Sequence, residues 1–448
     1  MNVEELRKIC NARGLAVSGG DSALRERIRE DIALTSKKKF KGGHVEEEPT
    51  KKPPTKHREF TIETIGLKPK EFTPSGVPKV SIDVLRELAG QDLFGDDKDA
   101  IWGSAFNSIG SEGCRALGAL ASIGQIDTMI GNFLVPLQTL VDKKGRVHCS
   151  LNLNTETGRL SARRPNLQNQ PALEKDQYKI RDAFVAEKGC SLIVADYGQL
   201  ELRLLAHITG CKSMLDAFAS GGCFHSRTAV GMYPYIREAV DNGEVLLEWD
   251  YSKGKPPRPL VKDVYASERR KAKTLNFSIA YGKTVHGLAK DWNITKEEAI
   301  KTRDAWYADR PEVKSWQMET EALAMEKKYV RTLMGRYRML PDAGTKGAAN
   351  SHALRAAINT PIQGSAADVV IMAMLKLWDS DKLRKLGWKL VLQIHDEVIM
   401  EGPNESSNEA LAEVIACMEN PFDGFGLSKL KVKLEVDAKC ADSWYKAK

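Results

Sequence analysis

Cysteine is scarce and unpaired in this sequence. Cys10, Cys114, Cys149, Cys190, Cys211, Cys223, Cys417 and Cys440 are the only eight among 448 residues, and none stands in a C-x-x-C spacing. That excludes a disulfide scaffold and points to free thiols in a reducing compartment. No apolar run reaches the ~20 residues of a membrane-spanning helix, and the first residues lack the charged-then-apolar order of a secretory leader. The expectation is a soluble protein with no membrane partner and no visible transit peptide, since structured-looking sequence starts almost at Met1. No internal repeat is present, which removes solenoid architectures. Neither charge sign dominates: 67 Lys and Arg face 60 Asp and Glu, a net charge of +7. That balance favours a polyanionic partner without demanding one, because many soluble enzymes are as basic. What is present is length and apolar content, 42% hydrophobic over 448 residues, enough to bury more than one core.

Residues 3 to 33 carry two short amphipathic patterns, Val3 to Arg13 and Ser22 to Ala33, joined by Gly14-Leu15 and Gly19-Gly20 turns. The run VEELRKICNARGL followed by SALRERIRE resembles the SAP motif, a helix-extended-helix element. The resemblance implies a DNA-binding module over 1–35, with Arg7, Arg13, Arg25 and Arg29 as its contacts. From Ser36 to Lys56 the composition shifts to Lys, Gly, Glu and Pro with almost nothing apolar, so a flexible basic linker is expected over 36–60.

Three segments carry chemistry. Ser191 to Ala195 is a short apolar strand that delivers Asp196 at its end, immediately before the helical pattern of GQLELRLLAH. Leu390 to Ile394 and Val398 to Met400 are two strand-like runs flanking His395-Asp396-Glu397, so that acidic pair is expected at a hairpin tip. Two acidic strand ends on one sheet can share a pair of Mg²⁺ ions about 3.5–4 Å apart. Asp196 and Asp396 are the expected bridging ligands, with Glu397 an outer candidate. The third segment is a helix expected from an N-cap at Ser267 to Gly282. Spacing by four aligns Arg269, Lys273, Phe277 and Tyr281 in one stripe, two cations followed by two aromatic rings. A core-facing stripe would be apolar throughout. This order suits a nucleotide lying along the helix, with its triphosphate at the cations, its sugar at Phe277 and its base or the template partner of that base at Tyr281.

Together DYGQLELR (Asp196 to Arg203), RRKAKTLNFSIAYG (Arg269 to Gly282) and QIHDE (Gln393 to Glu397) resemble motifs A, B and C of family A DNA polymerases. TGRLSARRPNLQNQP (Thr157 to Pro171) and RAAINTPIQGSAAD (Arg355 to Asp368) match further family segments in the expected order, so the likeness runs from Glu71 to the C-terminus. Within the family the chain is most similar to organellar polymerases of plants and algae. NTETGRLSARRPNLQNQPALEKDQYKIR, the closing VDAKCADSWY and an insertion around Ile236 to Val264, expected as a surface loop, carry that likeness.

The resemblance implies an α+β right hand: an antiparallel palm sheet with helical fingers over about 206–350, both within 151–448, and a truncated thumb and connection over 61–150. It implies template-directed addition of deoxynucleotides to a primer 3′ end with two Mg²⁺ ions, in plastid or mitochondrial replication and repair. The implied partners are primer-template DNA, dNTPs and organellar replication proteins, and the implied state is a monomer. Asp196 and Asp396 become metal-binding palm carboxylates, with Glu397 beside them and Tyr197 adding its backbone carbonyl. Arg269 and Lys273 bind the triphosphate, assisted by His225 and Gln199. Glu201, packed with Phe277, excludes a ribose 2′-hydroxyl, and Tyr281 closes the base-pair pocket. Arg159, Asn166, Gln168, Arg355, Asn359, Gln363 and His395 contact primer and template, several through minor-groove acceptors shared by every base pair.

The chain departs from the family pattern ahead of the palm. Only about a hundred residues of globular character precede Arg159, without a set of exonuclease carboxylates, and EFTPSGVPKVSIDVLRELAG (Glu71 to Gly90) resembles the last part of a thumb. Weak duplex binding and low processivity follow as expectations. Two other readings remain open at this point, a single-subunit RNA polymerase and a catalytically impaired DNA-binding remnant. Glu201 with the full QIHDE motif argues against the first, and intact Asp196, Asp396, Arg269 and Lys273 argue against the second.

Overall fold

The structure, a computed structural model, describes residues 3–13, 15–29, 67–73, 75–95, 99–171, 178–221, 223–249, 254–292, 294–425 and 429–448. The linker expected over 36–60, the end of the second N-terminal helix beyond 29 and residues 250–253 of the insertion lie outside the described residues. The chain divides into two compact units, residues 1–121 and 122–448.

In the first unit, α1 (Val3–Ala12) and α2 (21–29) realise the two amphipathic patterns at the N-terminus. Leu6, Cys10 and Leu24 meet in a small core completed by Leu15 and Ile28. Spacing by three and four puts these apolar residues on one face of each helix and leaves the charged ones outside. Further on, α3 (Ile82–Ala89) starts at Ser81, whose hydroxyl accepts from the Val84 N–H. Ala89 packs with Leu93, Ala105, and with Cys114 and Leu117 of α4 (Phe106–Met129).

The second unit is built on a four-stranded sheet. The elements of this unit that position the site are, in chain order, first β1 (Cys190–Tyr197), α5 (Leu200–Thr209), α6 (Phe224–Met232), α7 (Pro234–Asp241) and α8 (Ala266–Ala280). They continue with α9 (Pro311–Lys327), β2 (Tyr329–Arg331), β3 (Tyr337–Met339) and α10 (Ala348–Asp379). The last are β4 (Lys389–Ile394), β5 (Glu397–Pro403), α11 (Ser407–Glu419) and β6 (Val436–Ala441). The strand order is β6-β1-β5-β4, and every pair is antiparallel.

Strand alternation explains why β1 reads as an unbroken apolar run. Ile193, Ala195 and Tyr197 face one core with Val369 of α10 and Val414 of α11. Leu192 and Val194 face the other side, with Ile394, Ile399 and Trp444. A strand covered on both faces has no solvent side to mark with polar residues. A second core joins Leu202 and Leu205 of α5 to Leu275 and Ile279 of α8, with Trp306 at its centre. Leu202, Leu205, Leu275 and Trp306 are all fully buried, and each such side chain stabilises the fold by about 1.5–3 kcal/mol through transfer from water. That packing holds the cation-and-ring helix to the helix that follows Asp196.

Three sequence expectations are corrected here. Ser267 is not the N-cap of α8: the helix begins at Ala266, and the Ser267 hydroxyl donates to the neighbouring Glu268 carboxylate. A preceding turn of helix, Val261–Val264, runs directly into α8, so the cap position falls on Tyr265. Glu397 is not at the hairpin tip: it is the first residue of β5, paired with Asp196 and Ile394, and its side chain is buried. The turn is tighter than expected because His395 takes a left-handed backbone, φ 51°, and reverses the chain within His395-Asp396. The insertion around 236–264 is not a bare surface loop. Ile236, Ala239, Val245 and Val261 bury themselves against Ala272 of α8, and Leu246 closes the excursion by backbone bonds to Pro259 and Val261.

Candidate active site

The acidic centre is set by sheet register. Asp196 lies next to the end of β1 directly opposite Glu397 of β5, and the Tyr197 N–H donates to the Asp396 carbonyl at 3.2 Å. Asp196 near the end of β1 and Asp396 in the adjoining β4–β5 turn thus lie at one end of the sheet. Their charges feel each other: burial raises the Asp396 carboxyl above the usual range, Arg159 pulls it back, and the Asp196 charge raises it further. The His395 imidazole is pushed down by burial and by Arg159, with Asp196 opposing.

Two cations of the chain sit on these carboxylates. The Lys448 ammonium donates to Asp196 Oδ2 at 3.2 Å and also to Glu397 Oε2. Glu397 accepts a second bond, 2.8 Å, from the Trp444 indole N–H. Arg159 donates to Glu201 Oε1 at 2.6 Å and lies 3.7 Å from Asp396 Oδ1. Glu201 also accepts from the Tyr281 hydroxyl. With its side chain 7% exposed, Glu201 is pushed to a pKa of about 7 by burial, partly offset by Arg159 and reinforced by Asp396. The observed polar partners of Glu201 are therefore Arg159 and Tyr281.

Facing this centre from the helical side, α8 keeps its stripe open. Ala272, Leu275, Asn276 and Ile279 are buried, whereas Arg269, Phe277 and Tyr281 are half-buried and Lys273 is exposed. Gly282 ends the helix with φ 65°, a left-handed turn that costs a glycine little. Arg269 donates to the Cys223 sulfur at 3.2 and 3.3 Å. Burial pushes the Cys223 thiol up, but bonds from Ser226 and the Arg269 charge outweigh that and hold it below its ordinary value. The buried His225 ring lies 5.8 Å from Phe277, and its Nδ1 accepts from the Asn276 amide at 3.1 Å. Burial, with Arg269 and Lys273 nearby, lowers His225 to a pKa of about 4. The ring is neutral near pH 7, so its Nε2 carries the proton.

The remaining sequence candidates are dispersed along the approach. Gln199 caps α5 in a left-handed conformation, φ 56°, and its buried Oε1 has no hydrogen-bond partner among the described residues. The same is true of Asn359 Oδ1 and Arg159 Nε. Unpaired buried polar atoms are costly and concentrate where a ligand completes the set. Gln168 is occupied, donating to the Gln393 carbonyl at 3.3 Å, and the Asn166 side chain accepts from the Gln168 N–H at 3.1 Å. Arg355 is exposed and Gln363 half-buried, aligned with Asn359 by the spacing of α10. Tyr197 buries its ring and donates from its hydroxyl to the Met418 carbonyl at 2.7 Å.

A family model for DNA polymerase family A matches residues 114–244 and 258–446. The chain belongs to DNA polymerase family A. The break in the match, 245–257, falls inside the insertion that packs on α8. DNA polymerase I A, chloroplastic/mitochondrial, of Arabidopsis thaliana is 50% identical over a match covering 96% of this chain and 46% of that protein. DNA polymerase I A, chloroplastic, of Oryza sativa is 53% identical over 87% of this chain and 41% of its own length. A thermostable DNA polymerase I of Thermus thermophilus is 35% identical over 72% and 35%. Among solved structures, the POL domain of Pol1 from M. smegmatis, in complex with DNA primer-template and dNTP, superposes with a TM-score of 0.66 at 28% identity, covering 84% of this chain and 58% of that one. The fold is an α+β polymerase fold. The chain spans about half the length of the curated plant relatives it matches.

Several residues of this family A chain escaped sequence reasoning. Asn276 was hidden inside the helix motif, yet its amide fixes His225 and Thr228 and accepts from Trp306 at 2.8 Å. Its one visible signal was a polar residue at a position flanked by apolar ones. Lys448 and Trp444 gave none, because their contacts with Asp196 and Glu397 join residues 252 and 47 positions apart.

Proposed function

We propose that this chain is a DNA-dependent DNA polymerase, a nucleotidyltransferase that adds deoxynucleotides to a primer 3′ end in plastid or mitochondrial DNA replication and repair. One observation carries the reading: paired carboxylates at the end of β1 and the β4–β5 turn, together with a helix that keeps two cations and two rings at least partly exposed. In this reading the four-stranded sheet is the palm, the helices between about 206 and 350 are the fingers, and part of 61–150 is the end of a thumb. The N-terminal helices form a SAP-like DNA-binding module, and the organellar relatives support the cellular setting.

The donors fit Mg²⁺. Asp196 and Asp396 offer hard carboxylate oxygens, and the cations already drawn to this corner, Lys448 and Arg159, mark it as a place where negative charge seeks compensation. Among the described residues no group of three or more His, Cys, Asp and Glu is arranged to hold a metal alone. The Tyr197 carbonyl and oxygens of substrate and water would complete the set, as Mg²⁺ prefers. Asp196 and Asp396 would hold two ions, which when bound stabilise the attacking and leaving oxygens of phosphoryl transfer.

The chain's own residues do the rest. Arg269 and Lys273 bind the triphosphate and offset the charge that builds on it. The Nε2–H of neutral His225 and the Gln199 amide add hydrogen bonds without adding charge. Phe277 and Glu201 bound the sugar, so a 2′-hydroxyl meets a carboxylate already held by Arg159 and Tyr281. Tyr281 must leave Glu201 for a base pair to enter, which couples pocket opening to the gate. Arg355, Asn359 and Gln363 line up for the template and primer, and Arg159, Asn166, Gln168 and His395 contribute from the palm side. Primer extension with Mg²⁺ tests the whole reading. Asp396→Asn is expected to lower the rate at least ~100-fold, the scale of losing one group that stabilises transition-state charge. The melting temperature should be retained, because burial already penalises this carboxylate. Equal extension by both proteins refutes the assignment.

A further inference from the structure

A cavity of about 700 Å³ opens between α5, α9, β2 and α10, away from the centre just described. Its volume is in the range of nucleotide-sized ligands. Lys327 at the end of α9, Arg331 of β2 and Lys431 line it, and no carboxylate does. Lys327 and Lys431 are exposed and form no ion pair among the described residues. Elsewhere on this unit cations commonly stand against carboxylates, as Arg338 does with Glu156 and Lys433 with Glu419. Three cations around one hollow without a counter-charge repel one another unless an anion enters.

His207 adds a directed donor. Its Nδ1 accepts from the Lys431 N–H at 3.1 Å, and burial and the Lys431 charge both lower its pKa. The neutral ring therefore carries its proton on Nε2, and that N–H is left to donate. Two aromatic rings, Trp316 and Tyr329, complete the wall. Both are half-buried, so each presents an accessible surface. Arg331 lies over the Tyr329 and Tyr337 rings at 5.6 and 4.3 Å, which anchors the guanidinium without neutralising it.

The cavity is separate from the proposed template path. Pro361 and Ser365 of α10 line it, whereas Arg355, Asn359 and Gln363 occupy the opposite flank at 100° per residue. From this arrangement we propose that the cavity is a second nucleotide-binding site, which takes a unit of one phosphate and one planar base. The phosphate sits among Lys327, Arg331 and Lys431 with the His207 N–H, and the base lies against Trp316 or Tyr329. A free nucleotide and one unit of a single-stranded nucleic acid share that chemistry.

The test uses the full chain, calorimetric titration, and three probes: AMP, ribose 5-phosphate and a short oligothymidylate. AMP or the oligonucleotide is expected to bind saturably, to survive Arg269→Ala, and to weaken at least about tenfold in Lys327→Glu/Lys431→Glu, as expected when charge-assisted bonds are reversed. An effect on AMP identifies free nucleotide as the source, and an effect on the oligonucleotide alone identifies a strand; either supports the site. Ribose 5-phosphate should bind more weakly than AMP, and equal affinity overturns the role of the rings. The milder Lys327→Gln/Lys431→Gln chain, with an unchanged melting temperature, guards against a folding defect. Unchanged binding of AMP and oligonucleotide in both double variants overturns the proposal, as does loss of all binding in Arg269→Ala. Primer extension is not a readout, so failure here is distinct from failure of the polymerase assignment.

Discussion

The two sides of the candidate site solve opposite electrostatic problems. At the sheet end, Asp196, Asp396, Glu397 and Glu201 are crowded together, and the fold answers with internal cations, Lys448 and Arg159. On α8, Lys273 is exposed with no ion pair among the described residues, and Arg269 donates to the Cys223 thiol. The acidic side has partners to exchange, and the basic side has cations without a carboxylate partner among the described residues. That asymmetry means ligand binding must dismantle existing contacts on one side only.

The comparison is broken most severely if the basic side proves idle. Lys273→Ala and Arg269→Ala are expected to lower kcat/KM for the incoming nucleotide by about 10- to 100-fold, the worth of a hydrogen bond to a charged group. Lys273→Ala should leave the melting temperature unchanged because the side chain is exposed and forms no ion pair among the described residues. Steady-state extension kinetics with thermal melts check both, and a stability loss without a kinetic effect would make α8 a structural helix.

A smaller effect sharpens the acidic side. Glu201 has a folded pKa of about 7 against an ordinary value of 4.5, so the folded state holds its proton more tightly than the unfolded one. Its stabilising contribution is full below about pH 4.5 and is lost as pH rises through about 7. Relative to Glu201→Gln, the metal-free chain should lose on the order of 1–3 kcal/mol between those values, read from denaturant midpoints. A difference that stays flat across the window contradicts the burial argument.

The smallest expected effect concerns Lys448. Replacing it by glutamine removes a cation that competes at Asp196, and Mn²⁺ affinity of the DNA-free chain should rise about 2- to 5-fold, in line with a partly exposed ion pair. Electron paramagnetic resonance of free Mn²⁺ reads this without turnover. Unchanged or weaker affinity would show that Lys448 supports the acidic corner instead of competing for it.

How much of this was legible beforehand divides by distance along the chain. The stripe of α8 was legible because residues four apart must share a helix face, and the apolar runs of β1, β4 and β5 were legible because strands are short and bounded. The N-cap at Ser267 misled because cap preference is local, whereas the preceding helical turn decided where α8 starts. Glu397 misled because an acidic residue beside a turn looks solvent-facing, and only its pairing with Asp196 and the Trp444 indole shows why it is buried. The insertion looked like a loop because its apolar residues are too sparse for a core of their own, and they become one only against Ala272.

By itself, the sequence determined which chemical groups exist and how they are ordered over a few residues: carboxylates at strand ends, cations then rings along one helix. Periodicity suffices for that, since helix and strand geometry repeat over two to four residues. Only the tertiary structure decided which charges neutralise each other, as with Lys448 on Asp196 across 252 positions or Arg159 on Glu201 across 42. Such pairings arise from sheet register and core packing, which are cooperative properties of the folded chain and leave no mark in local sequence.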